Sequence, residues 1–109
     1  MKNFKKYVHI IRTLLKAKQK EQSNILKAAD PELIKLITET VYNILKGNVP
    51  MPKAQLQKLH PYKRTLLQIA KRPNDLKFAR TTLVKKRGRA LLKILLPTLL
   101  SIGANFING

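Results

Sequence analysis

The chain lacks cysteine and tryptophan and holds only five acidic residues in 109. Without cysteine, a disulfide framework and a thiolate metal centre are both excluded. The acids are Glu21, Asp30, Glu32, Glu39 and Asp75, and the only histidines are His9 and His60. So sparse a set makes a paired-carboxylate site or a zinc centre hard to assemble. There is no H-E-x-x-H, no P-loop and no glycine-rich phosphate fingerprint. No stretch alternates apolar and polar residues over a useful length, which leaves no strand signal. The expectation is a non-enzymatic binding protein with no metal and no cofactor.

Positive charge fills the space left by the acids. Lys and Arg number 23, the formal net charge is +18 and the sequence pI is about 10.7. An apolar fraction of 44% is too high for a purely disordered basic tail, so a folded part with basic faces is expected. The charge is uneven along the chain. Residues 1–46 hold ten basic and four acidic residues, 47–93 hold thirteen basic residues against Asp75 alone, and 94–109 hold none. A surface usually mixes signs. The middle block instead matches a polyanion, because each neutralised phosphate releases condensed counterions.

Helical spacing dominates. Phe4, Tyr7, Val8, Ile11, Leu14 and Leu15 share one face of a helix over about residues 3–20, with Lys5, His9, Arg12, Lys16 and Lys20 opposite. Lys5, Lys6 and Arg12 interrupt any apolar core that a signal peptide would need. The run 25–29 reads as a further helical turn or two. Asp30 as cap, Pro31 in the first turn and Glu32 beside the positive dipole end open the next helix. Its stripe is Leu33, Ile34, Ile37, Val41, Ile44 and Leu45, and Gly47 ends it. Asn48-Val49-Pro50-Met51-Pro52 is a stiff connection. A short helix follows at 52–59, broken by His60-Pro61. Another carries Tyr62, Leu66, Ile69 and Ala70. A last basic helix over 75–87, capped by Asn74, has Leu76, Ala79 and Leu83 on its apolar side. The fold class is all-α: a small helical bundle with a basic face and an apolar C-terminal segment.

The expected phosphate contacts are Lys63, Arg64, Lys71, Arg72, Lys77, Arg80, Lys85, Lys86, Arg87 and Arg89. Nothing in the turn spacing marks a helix-turn-helix, so sequence-specific reading of bases is not indicated. Tyr42 and Phe78 fall off their helical stripes, which suits either packing on a neighbouring helix or stacking on bases. Residues 90–107 are apolar apart from Lys93 and a few polar breaks, and follow a polybasic run; Pro97 is expected to kink or break a helix there. Eighteen residues is the lower edge of a membrane span. The segment could be a buried C-terminal helix of a small bundle; the expectation favoured is that Ile94, Leu95, Leu96, Pro97, Leu99, Leu100, Ile102 and Phe106 form an uncovered patch that meets an anionic membrane, a capsid protein or a second copy of the chain. On this reading residues 1–88 are the basic helical domain and 89–109 a separate apolar segment.

The junction Lys85-Lys86-Arg87-Gly88-Arg89, followed by Leu95-Leu96-Pro97-Thr98-Leu99-Leu100, resembles the C-terminal part of the precursor of the adenovirus core peptide mu, protein X. Over nearly its whole length the chain resembles the small X-like proteins of adintoviruses and Polinton (Maverick) elements. The stretch Leu45-Lys46-Gly47-Asn48-Val49-Pro50 also carries that likeness. The resemblance implies a virion core protein, present in the virion core and the host nucleus, that condenses double-stranded DNA during packaging. It transfers to Lys85, Lys86, Arg87, Gly88 and Leu95 to Leu100. The rival expectation is a membrane-active amphipathic protein, pore-forming or endosomolytic, since a basic amphipathic helix suits lipid as well as phosphate.

Overall fold

The computed structural model describes the backbone of residues 4–49 and 51–108 and the side chains of 5–49 and 51–101. The described residues are all-helical, as expected, and pack as a small bundle measuring 32 × 29 × 26 Å. The elements are α1 (Phe4–Lys16), α2 (Gln19–Ala28), α3 (Pro31–Leu45), α4 (Lys53–Leu59), a 3-10 turn (His60–Tyr62), α5 (Lys63–Ala70), α6 (Leu76–Val84) and α7 (Lys86–Asn108).

Local chemistry sets several of these bounds. Asp30 Oδ1 accepts the Glu32 amide at 3.0 Å, and Pro31 opens α3. Gly47, at φ +74°, closes it. The Asn48 amide reaches back to the Asn43 carbonyl and the Gly47 amide to that of Ile44, the paired bonds of a Schellman ending. Asp75, rather than Asn74, caps α6, accepting the Phe78 amide at 3.0 Å. The helix expected over 3–20 is two helices. At Lys18 the backbone turns extended (φ −72°, ψ 164°), and the freed carbonyls find distant donors. Gln22 Nε2 donates to Leu14, and Lys93 Nζ donates to Leu15 at 3.0 Å and Ala17 at 2.9 Å.

One core joins every helix. Tyr7, Ile11 and Leu14 from α1 meet Leu33, Ile34 and Ile37 from α3, Leu66 and Ile69 from α5, and Ala79 and Leu83 from α6. Within α3, Leu36 is buried, while Leu45, assigned to the stripe, is 37% exposed.

The C-terminal expectations need correction. Leu91, Leu92, Leu95, Leu96 and Leu99 lie in this same core, each at most 1% exposed, and Ile94 and Leu100 pack against it. As far as Leu100 the segment is covered by its own bundle, because α7 packs against α1, α3 and α6. The boundary placed at 88/89 falls within α7, which has no separate core. Pro97 does not end this helix. It faces solvent, so the Lys93 carbonyl that loses its amide partner lies on the side where helices tolerate such a loss. Ile102 and Phe106 lie outside the described side chains.

Tyr7 ties α1 to α3, its hydroxyl donating to Glu32 Oε2 at 3.1 Å. Burial, reinforced by that hydrogen bond, pushes the phenol up to about 12 from 10.0. The unfolded chain thus gives up this proton first, and the bond's contribution is full below pH 10 and lost between there and about pH 12. In urea melts, wild type should exceed Tyr7→Phe by a constant margin up to about pH 10. The margin should close as the pH rises further; a margin independent of pH through this window would contradict the bond.

Candidate nucleic-acid interface

The ten expected phosphate contacts divide by what their side chains already touch. Arg80 and Arg89 are half-buried. Arg80 Nη1 donates to the Leu26 carbonyl at 2.9 Å and to that of Lys27 at 3.1 Å, closing the C-terminal end of α2. Arg89 Nη1 donates to Val84 at 3.0 Å, closing α6, while its Nε is buried without a partner. These two arginines neutralise the negative ends of helix dipoles. Their assignment as phosphate contacts is corrected to a structural role, for the guanidinium that satisfies a helix end is not free to leave it.

Arg72 and Arg87 are intermediate cases. The Arg72 guanidinium sits 4.4 Å from the centre of the Phe78 ring and that of Arg87 5.2 Å from the Tyr62 ring. Arg87 Nη2 also donates to the Pro61 carbonyl. Both are exposed, so stacking orients each fork while leaving donors open to solvent.

Lys63, Arg64, Lys71, Lys77, Lys85 and Lys86 are exposed and have no side-chain partner among the described residues. The one acid in this part of the chain, Asp75, already caps α6. Lys63 and Arg64 form the first turn of α5, and Lys86 and Arg87 the first turn of α7, neither of which holds an acid. Helix starts ordinarily favour carboxylates. Cations placed there add to the positive dipole end and favour an anion beside it, although the Lys63 amide itself already donates to the His60 carbonyl. Between them Tyr62, Lys86, Arg87 and Ala90 line an open concavity of about 320 Å³.

Tyr62, expected on a core stripe, does pack against the core, and its ring also meets Arg87, a contact the sequence did not indicate. Its approach to Arg87 depends on how α7 docks, which no local pattern shows. Of the aromatics considered for base stacking, Tyr42 is exposed with Lys46 Nζ 5.3 Å from its ring centre, and Phe78 is half-buried under Arg72.

Among the described residues no three His, Cys, Asp or Glu side chains gather as a metal site, and no helix is long and apolar enough to cross a membrane. Of the residues expected to meet a membrane or partner, Leu95, Leu96 and Leu99 are withdrawn from the surface, Ile94 and Leu100 are half-buried, and only Pro97 among the described ones is exposed.

Fold and surface together define a small all-helical domain with cationic faces. Comparison with protein-family models, curated proteins and solved structures finds no match.

Proposed function

We propose that the protein binds double-stranded DNA without regard to sequence and condenses it, as a small basic core protein of a virus or virus-like mobile element would. The observation that carries this reading is the group of six exposed cations without a side-chain partner among the described residues, Lys63, Arg64, Lys71, Lys77, Lys85 and Lys86, part of it set on helix starts with no acid in the first turn. Such groups hold phosphates, and phosphate contacts position a protein on a duplex without reading its bases. The resemblance to X-like virion proteins supports the same reading. The membrane-active alternative is less favoured, because the apolar side chains of α1 and α7 that would enter lipid pack in the core.

Fluorescence anisotropy on short duplexes of unrelated sequence tests it. Affinity should be similar for all of them, and log K should fall linearly with log salt. Replacing the six cations by Gln should flatten that slope by about 5, at about 0.9 per lost contact. The far-ultraviolet dichroism should not change, since these side chains are solvated. Strong preference for one duplex, or a slope that the six replacements leave unchanged, overturns the reading.

A further inference from the structure

The basic stripe of α1 takes no part in the interface above. Lys5, His9, Arg12 and Lys16 recur at intervals of four, three and four residues, which places them on one face of the helix. All four are exposed, whereas Tyr7, Ile11 and Leu14 on the other side are buried. α1 contains no acid. From Lys5 to Lys16 the stripe runs about 17 Å at 1.5 Å per residue, alongside about five phosphate steps of one strand at 3.4 Å each.

The α1 stripe and α5, which carries part of that interface, stand on different neighbours in the bundle. α1 packs chiefly on α7, and α5 chiefly on α3. The outward face of α3 separates the two along one flank and carries Glu32 and Glu39 with Lys35 between them. At one edge of that face Tyr7 of α1 bonds Glu32. At the other, Lys35, Glu39 and Tyr42 share a groove with Ala70, Pro73 and Asn74 of the α5–α6 junction. A phosphate backbone crossing from one cationic face to the other along this flank would pass over two carboxylates. Bending a duplex around so small a body to reach both surfaces carries an elastic cost, since its persistence length is about 50 nm and the bundle is at most 32 Å across.

We infer that the α1 stripe is a second duplex-binding face, so that one molecule bridges two DNA helices. The inference rests on the DNA-binding reading above. It makes condensation a matter of cross-linking as well as charge neutralisation.

The test immobilises one duplex on beads, saturates it with protein, washes, and measures capture of a second, fluorescent duplex. Wild type should bind the first duplex and capture the second. The triple variant Lys5→Gln, Arg12→Gln, Lys16→Gln should hold the first duplex within about three-fold of wild-type affinity and lose at least ten-fold in capture of the second. The double variant Lys5→Gln, Lys16→Gln, which touches only the ends of the stripe, should shift capture in the same direction, and far-ultraviolet dichroism of both should match wild type. Undiminished capture by the triple variant would mean that bridging runs through pairs of molecules, and overturns the inference. A matching loss on the first duplex would mean one continuous face, and overturns it equally. Wild type that does not bind the first duplex refutes instead the DNA-binding reading beneath it.

Discussion

A chain truncated after Arg89 is expected to lose its cooperative fold. The truncation removes Leu91, Leu92, Leu95, Leu96 and Leu99, all of them at most 1% exposed. Burying a leucine side chain contributes roughly 1.5–3 kcal/mol. Five of them together rival the ~5–15 kcal/mol that separates a native domain from its unfolded chain. The loss does not stop there. Lys93 goes too, leaving the Leu15 and Ala17 carbonyls at the end of α1 without their donor. The apolar stripe of α1, whose main packing partner is α7, is laid open to water. Circular dichroism should show a marked fall in helix and no sigmoidal thermal transition. A truncated protein that stays helical and melts cooperatively would restore the view of the segment as an appendage.

The apolar segment is also the clearest place where sequence and structure part. Its composition is that of an uncovered patch, and the residues given to that patch include core leucines. Counting apolar residues could not distinguish the two outcomes, because a bundle this small has no spare core only if its other helices already satisfy one another. They do not: α1 needs α7. Elements governed by their own neighbours were legible. Asp30, Pro31 and Gly47 act within a few residues of themselves, and α3 begins and ends where they stand. Elements governed from afar were not. The break after Lys16 is completed by Lys93, 76 to 78 residues away, and the end of α2 by Arg80, more than fifty residues away. The same cause divides the candidate interface. Lysines and arginines look alike in a charge count, yet Arg80, Arg89 and Lys93 serve as helix caps, while Lys63, Lys71 and Lys86 remain free, and only the docking of helices decides which is which.

Replacement of Gly88 by alanine is expected to cost about 3 kcal/mol, the upper end of what an overpacked core costs. Gly88 stands where α6 turns into α7, and the two helices approach there without room for a side chain. A Cβ at this position would lie 2.0 Å from the Thr82 carbonyl oxygen, 2.7 Å from Leu83 Cα and 2.8 Å from the Thr82 carbonyl carbon. All three are backbone atoms, so no rotamer change relieves the overlap; one helix must move. Such a shift disturbs Leu83 on one side and Leu91 and Leu92 on the other, each fully buried. It also strains the bond from Arg89 to the Val84 carbonyl across the same turn. Gly47 is the control. Its demand is conformational, with φ at +74° and nothing within 4 Å of an added Cβ, so Gly47→Ala should cost only the ~1–2 kcal/mol of a left-handed alanine. Urea denaturation of the two variants should therefore rank Gly88→Ala below Gly47→Ala, with a fall in melting temperature of roughly 10–20 °C for the former. The glycine in the basic-run motif is thus required by helix packing, whatever the motif binds. If Gly88→Ala melts with wild type, the close approach of α6 and α7 is not the one the protein holds in solution.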